Sequence, residues 1–277
     1  MNKVNFHINE IEWETFTGEK WGPLRWKELL NLAQGISKEF IFGLAELPAG
    51  GKLPLHTHQQ AETDYILSGK ARIRLGSRSV ESTPTSALYF PGKQPHSIEA
   101  LGSDPLRYIY TYACEKLGHQ VDLEFADEEA ALQVDIVNKG NTRWAIREEC
   151  EEWICVEPSK GFGIRVRRLF DNERGNTHEM AVGMGENDPG THYTLHYHEQ
   201  PEIYYVLSGC GVVYVKDSAI EASPGSALYI GKRVVHGIDC LGVEPMRVYY
   251  VYGAETAGHA DTWTPVEDIY NEAHWRK

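Results

Sequence analysis

Two groups of histidine and glutamate residues recur in the chain with the same spacing. In the first group His56 and His58 precede Glu62, and His96 follows further along the chain. The second group has the same intervals and consists of His196, His198, Glu202 and His236. Imidazole nitrogens and carboxylate oxygens are ligands of divalent transition metals. Each group therefore predicts a site for one such ion.

The spacing also indicates which elements carry these residues. Side chains two residues apart lie on the same face of a β-strand, so His56 and His58 would point to one side of a single strand. Glu62 would begin the next strand, and His96 would come from a third. Four ligands from three strands can then converge inside a barrel.

The whole chain is an internal repeat with a period of 140 residues. Between residues 50–119 and 190–259, 27 of 70 positions are identical, and no gap is needed to align them. Such a match indicates tandem duplication. We expect two domains, residues 1–140 and residues 141–277.

Each repeat contains short runs rich in Ile, Val, Tyr and Thr that are separated by Gly, Pro and Ser. This pattern predicts an all-β fold of two tandem double-stranded β-helix barrels of the jelly-roll type. We expect helices only in the tails, including the acidic joint near 120–145, and in WKELLNLAQ at 26–34.

The motif Gly50-x5-His56-x-His58-x3-Glu62-x6-Gly69, and its copy from Gly190 to Gly209, resemble the first motif of the cupin superfamily. The resemblance implies a bicupin with the two predicted metal sites. The second cupin motif departs at turn and support positions: Thr85, Lys93 and Arg233 replace glycines, Gly231 replaces the proline, and Ala100 and Cys240 replace the asparagine. These departures affect the predicted loop geometry and leave the ligand histidines in place.

Three imidazoles and one carboxylate suit several ions. Iron or manganese is favoured, and nickel, zinc and copper are alternatives. Four protein ligands leave two positions of an octahedral ion open for substrate.

The two repeats differ beside the predicted ligands. Asp64 and Tyr204 occupy matched positions two residues beyond the ligand glutamate, on the inward face, and are the candidate catalytic residues. The alternatives are orientation of a ligand histidine by Asp64 and barrel packing by Tyr204. Lys52 and His192, also matched, are candidates for binding a substrate carboxylate, and solvated loop charges are the alternative.

Three functions are compatible with such a chain. The first is a dioxygenase-like oxidoreductase that acts on a small oxygenated organic acid or diketone. The second is a non-redox isomerase, lyase or aminohydrolase of a small sugar acid or carboxylate. The third is a non-catalytic binding protein for small molecules.

Composition limits the partners. The net charge of −13 disfavours nucleic acid, and no apolar run has the length of a membrane span. Five cysteines without a CxxC pair, and an acidic start without a secretory signal, favour a cytoplasmic protein. We expect a small-molecule substrate and either a homodimer or a pseudo-symmetric monomer.

Overall fold

The computed structural model describes residues 5–16, 23–31, 37–114, 121–129, 143–156, 163–173, 177–253 and 264–266. Within these ranges nearly every regular element is a β-strand, and two short 3₁₀ turns follow strands at Ile8–Glu10 and Glu148–Cys150. The predicted all-β class is confirmed.

The strands before the repeat joint are β1 (Asn5–His7), β2 (Glu14–Thr15), β3 (Arg25–Leu30), β4 (Phe40–Leu47), β5 (Lys52–Thr57), β6 (Glu62–Ser68), β7 (Lys70–Leu75), β8 (Arg78–Ser82), β9 (Ser86–Phe90), β10 (His96–Leu101), β11 (Leu106–Ala113) and β12 (Glu124–Phe125). Those after it are β13 (Ala145–Arg147), β14 (Ile154–Cys155), β15 (Ile164–Phe170), β16 (Met180–Asn187), β17 (His196–Tyr197), β18 (Glu202–Ser208), β19 (Gly211–Val215), β20 (Ser218–Ala222), β21 (Ser226–Ile230), β22 (His236–Cys240), β23 (Met246–Gly253) and β24 (Thr264–Pro265).

Each half of the repeat forms a barrel from two antiparallel sheets. The first barrel combines the sheet β13-β9-β6-β11-β4-β3-β2 with the sheet β12-β5-β10-β7-β8. The second combines β1-β21-β18-β23-β16-β15-β14 with β20-β19-β22-β17-β24. Apolar side chains of both sheets form the core of each barrel, as in a jelly roll, and burial alternates along strands such as β10. The two tandem barrels that the sequence predicts are confirmed.

Each barrel receives one edge strand from the other sequence repeat. In the first barrel this strand is β13, which pairs with β9, and in the second it is β1, which pairs with β21. One compact unit therefore spans Glu10–Cys150 with Arg174–Asn176, and the other combines Met1–Asn9, Glu151–Glu173 and Thr177–Lys277. The boundary at residue 140 describes the sequence repeat and stays a prediction, since the compact units divide the chain elsewhere.

One predicted helix is wrong. Within residues 26–34, the segment up to Leu30 belongs to strand β3, which pairs with β4 in register Arg25↔Glu46. Lys, Glu and Leu are good helix formers, but an intrinsic preference amounts to only tenths of a kcal/mol per residue, and pairing within a sheet outweighs it. Residues 32–36 lie outside the described residues. In the acidic joint Glu128 and Glu129 are helical, and residues 130–142 are not described.

None of the described residues belongs to a helix with the length and apolar character that crossing a bilayer requires.

Candidate metal centres and their cavities

The four predicted ligands of the first barrel converge in its interior. The Nε2 atoms of His58 and His96 lie 3.3 Å apart, and each lies close to Glu62 Oε2, at 3.0 Å and 3.1 Å. The His56 ring packs against His96, with 4.2 Å between ring centroids. One potential ligand atom from each of the four residues lies within 4.8 Å of the other three, and all four residues are buried.

The second barrel repeats this arrangement with a slightly displaced carboxylate. His196, His198 and His236 place ligand atoms within 4.8 Å of one another. Glu202 Oε2 lies 3.2 Å from the Nε2 atoms of both His198 and His236. The Glu202 carboxylate thus lies next to two of the three imidazole rings, those of His198 and His236.

The six predicted ligand histidines are all oriented in the same way. In each, Nδ1 lies 2.7–2.8 Å from the backbone carbonyl two residues away; the carbonyls are those of Pro54, Gln60, Gln94, Thr194, Gln200 and Val234. A proton on Nδ1 that is donated to a carbonyl leaves the Nε2 lone pair directed inward. Several lone pairs and a carboxylate facing one another repel unless a cation lies between them. The donor set therefore fits one divalent transition metal in each barrel.

Turns that depart from the cupin pattern keep the geometry of the glycines they replace. Thr85, Lys93 and Arg233 have φ angles of 73°, 66° and 59°, in the left-handed region that glycine normally occupies. The Lys93 amide donates to the carbonyl of His58, and the Arg233 amide donates to that of His198. The turns at Lys93 and Arg233, which precede His96 and His236, are therefore hydrogen-bonded to the backbone of another ligand histidine in the same barrel.

The electrostatics of the centres favour a charged glutamate in each quartet and a neutral His56 and His196. Burial acts to raise the pKa of Glu202, but hydrogen bonds and charge from the adjacent His198 and His236 rings, when Nε2 carries a proton in place of a metal ion, outweigh it and lower this pKa to about 2. The same balance lowers the pKa of Glu62. Burial, assisted by the charge of His96, lowers the pKa of His56 to about 3. Deprotonated ligands are the forms that bind metal.

Asp64 is completely buried beside Glu62, as expected for an inward-facing position. Burial first, and then the charge of the neighbouring Glu62, raise the pKa of Asp64 well above its usual value. A neutral Asp64 can donate to Glu62. Asp64 does not belong to the wall of the cavity described below, and its neighbour is the ligand glutamate, so both the catalytic role and the orientation of a ligand histidine stay predictions.

Tyr204 differs from Asp64 because it lines the cavity of its barrel. Its hydroxyl hydrogen-bonds to Glu202, and its ring lies 6.0 Å from that of His236. Burial, followed by the charge of Glu202, raises the pKa of Tyr204. The tyrosine is thus a protonated donor at the metal centre.

Neither Lys52 nor His192 belongs to the walls of the two cavities described below. The Lys52 side chain is 63% exposed, and its ammonium group pairs with Glu99 at 2.8 Å. His192 Nδ1 pairs with Asp239, the matched residue, at 2.9 Å. Lys52 and His192 each contact a carboxylate on the neighbouring strand, and their assignment to substrate stays a prediction.

A cavity reaches the ligand glutamate in each barrel. The first has a volume of about 390 Å³, and its wall includes Leu24, Trp26, Glu28, Glu62, Tyr110 and Tyr112. The second has a volume of about 260 Å³, and its wall includes Arg165, Arg168, Glu202, Tyr204, Tyr250 and Tyr252. These sizes suit small organic molecules.

Tyrosine pairs on β11 and β23 extend from the metal centres along the cavities. The rings of Tyr110 and Tyr112 lie 5.6 Å apart, and Tyr112 contacts His58 edge-on at 5.0 Å. The second barrel repeats this row, with 5.3 Å between Tyr250 and Tyr252 and 4.8 Å from Tyr252 to His198. Sequence reasoning missed these residues, although their identity in both repeats is visible.

The tyrosine rows require glycine on the adjacent strand. A Cβ atom at Gly43 would lie 2.5 Å from the Tyr110 hydroxyl and 2.2 Å from the Lys27 carbonyl. At Gly183 it would lie 2.2 Å from the Tyr250 hydroxyl. Each tyrosine ring therefore crosses β4 or β16 at a glycine and places its hydroxyl beside the next strand.

The fold and the donor sets define a protein of two jelly-roll barrels, each with one divalent-metal site. The cupin-domain family model matches residues 43–112 and residues 183–252, half of the chain, and the protein belongs to this family as a bicupin.

Two curated proteins are similar in sequence. Dimethylsulfoniopropionate lyase DddW of Ruegeria pomeroyi is 30% identical over 97 residues, which cover 35% of this chain and 63% of the lyase. The match thus spans less than two thirds of that protein. An uncharacterized protein of Methanocaldococcus jannaschii, MJ1618, is 33% identical over 86 residues, 30% of this chain and 67% of that protein.

Solved structures of oxalate decarboxylase from Bacillus subtilis share the fold. The structure of that enzyme at pH 4.6 is 18% identical and covers 96% of this chain and 79% of its own, with a TM-score of 0.71. Another, from a study of its Mn(II) centres, has the same identity and a TM-score of 0.72, and the match covers 96% of this chain and 80% of the decarboxylase.

Proposed function

We propose that this bicupin is a metal-dependent lyase-type enzyme that cleaves a small carboxylate without net oxidation. The observation that carries the proposal is that the wall of each cavity contains the ligand glutamate together with tyrosines. Such groups suit proton transfer to and from a bound substrate.

The ion, when bound, supplies a Lewis acid for a substrate carboxylate or carbonyl oxygen. The histidines and the glutamate of each quartet would hold it. Because Tyr204 touches Glu202 and lines the cavity, its hydroxyl is placed to donate a hydrogen bond or a proton to substrate. Tyr252 packs against His198 and restricts both that ring and the access of water.

The comparisons support this class of chemistry. The sequence relative from Ruegeria is named a lyase, and the structures with the same fold are decarboxylases, which also break a bond in a small carboxylate. Neither name fixes the substrate of this chain.

A dioxygenase-like oxidation of a small organic acid or diketone is the second candidate. The observation in its favour is the first cavity, whose wall is mostly apolar and aromatic and suits dioxygen and a neutral diketone. Iron or manganese would serve either candidate.

The test is turnover of a panel of small carboxylates by purified protein, with and without oxygen, followed by NMR of the products. We expect products in the absence of oxygen and their loss in Tyr204→Phe or in the double variant His196→Ala with His198→Ala. The matched double variant, His56→Ala with His58→Ala, reports the contribution of the first barrel. Turnover that requires oxygen would favour the second candidate, and unchanged ligand binding without any turnover would indicate a binding protein.

A further inference from the structure

The two cavities carry opposite charges at one matched wall position. Glu28 lines the first cavity, and Arg168, 140 residues later, lines the second. Both residues lie on the strand that follows the tryptophan-containing entry segment, β3 or β15. Since the metal quartets are the same, this reversal distinguishes what each barrel accepts.

In the first barrel a continuous row of side chains connects Glu28 to the metal centre. The Tyr110 ring crosses β4 at Gly43, which faces Glu28 in the register of β3 and β4. Tyr110 and Glu28 flank Gly43 from the two neighbouring strands, and both line the first cavity. Tyr110 then contacts Tyr112, and Tyr112 contacts His58.

The wall around Glu28 is aromatic. Trp26 precedes it by two residues on the same face of β3, and Phe16 lies at 6.4 Å from the Trp26 ring, at the more exposed side of the cavity. The faces of aromatic rings carry negative potential and attract cations, most strongly those that are weakly hydrated. A carboxylate within such a wall adds a full negative charge.

We propose that the first cavity binds a small acid that bears an onium cation, with its carboxylate at the metal centre and its cation between Glu28, Trp26 and Tyr110. The carboxylate end rests on the function proposed above, whereas the cation subsite stands on the wall itself. In the second barrel the matched residue, Arg168, is paired with Asp171 at 2.7 Å and with Glu173 at 3.2 Å, so this wall has no carboxylate at the matched position and lacks the cation subsite.

Burial raises the pKa of Glu28 against the opposing hydrogen bond from Asn31, and the charge of Glu14 adds to the increase. A cation in the cavity would offset this cost of desolvation. A cation bound at this wall would thus stabilise the charged form of Glu28.

The experiment is calorimetric titration of the protein, with its copurified metal, by trimethylammonio-propanoate and by the carbon isostere that has a tert-butyl group in place of the trimethylammonium group. We expect one site per chain and a preference for the cationic probe on the order of tenfold or more. Glu28→Gln should remove this preference, and Glu14→Gln, which changes an exposed carboxylate outside the cavity wall, should retain it. Trp26→Leu, a second variant, should reduce it.

Saturation-transfer NMR with tetramethylammonium on the metal-free protein tests the cation subsite independently of metal and turnover. Contact in the wild type and its loss in Glu28→Gln support the proposal even if no carboxylate is turned over. An equal affinity for both probes, two cation sites per chain, or a Glu28→Gln protein with the original preference would overturn it, whatever the reaction proves to be.

Discussion

Substitution of Gly183 by alanine tests the tyrosine row of the second barrel. The new Cβ atom would lie 2.2 Å from the Tyr250 hydroxyl and 2.5 Å from the Arg167 carbonyl. Both distances are about 1 Å shorter than van der Waals contact, and one contact is with the backbone of the paired strand β15. Neither β15 nor Tyr250 can move away without loss of pairing or packing.

Overpacking of this kind costs about 3 kcal/mol. For a unit of this size such a loss lowers the melting temperature by about 6–12 °C. Differential scanning calorimetry of the purified variant measures the change.

Gly185→Ala is the matched control on the same strand. Its nearest neighbour would be the Val248 carbonyl at 3.9 Å, and the first repeat already has alanine at the matched position, Ala45. We expect a change below about 1 kcal/mol. If Gly183→Ala melts as Gly185→Ala does, the close crossing of Tyr250 over β16 is wrong.

Three further predictions concern the first barrel. Tyr65→Phe removes a hydrogen bond of 2.6 Å to the buried carboxylate of Glu148 and should cost about 1–3 kcal/mol in thermal unfolding; a loss below about 0.5 kcal/mol would contradict the role of this bond. The pKa of His56 is about 3 in the folded protein and 6.5 in the unfolded chain, so the unfolded state binds more protons between these pH values. The unfolding free energy of the metal-free protein should therefore fall as the pH is lowered from 6.5 towards 3. If His56→Gln shows the same slope of unfolding free energy against pH, this prediction is wrong. Asp64→Asn keeps a neutral donor beside Glu62 and should keep the metal content measured by elemental analysis; loss of the ion would show that the charged form of Asp64 is needed.

The parts of the site that depend on local geometry could be predicted from the sequence. The interval of two residues between His56 and His58 fixes a common strand face, and the repeat shows that His196 and His198 obey the same rule. Strand alternation also placed Asp64 and Tyr204 inside their barrels, where the structure has them.

The remaining parts depend on contacts between distant segments. The pairing of Asn5 with Leu228 and of Ala145 with Leu88 has no local signal, so the exchange of edge strands could not be predicted. Lys52 pairs with Glu99, which lies opposite it on the adjacent strand, and this contact depends on the strand pairing and not on the local sequence.

The charge reversal at positions 28 and 168 is visible in the aligned repeats. The sequence does not show that this position lines a cavity, because residues of β3 were predicted to form a helix and the structure places them in the cavity wall.

The most direct test of the two metal centres is the number of ions per chain. Elemental analysis and anomalous scattering of the wild-type protein should give two divalent ions, one within each histidine and glutamate quartet, and His196→Ala with His198→Ala should retain the ion of the first barrel alone. A wild-type protein that binds no ion under metal-replete conditions, or a double variant that still binds two, would contradict the account.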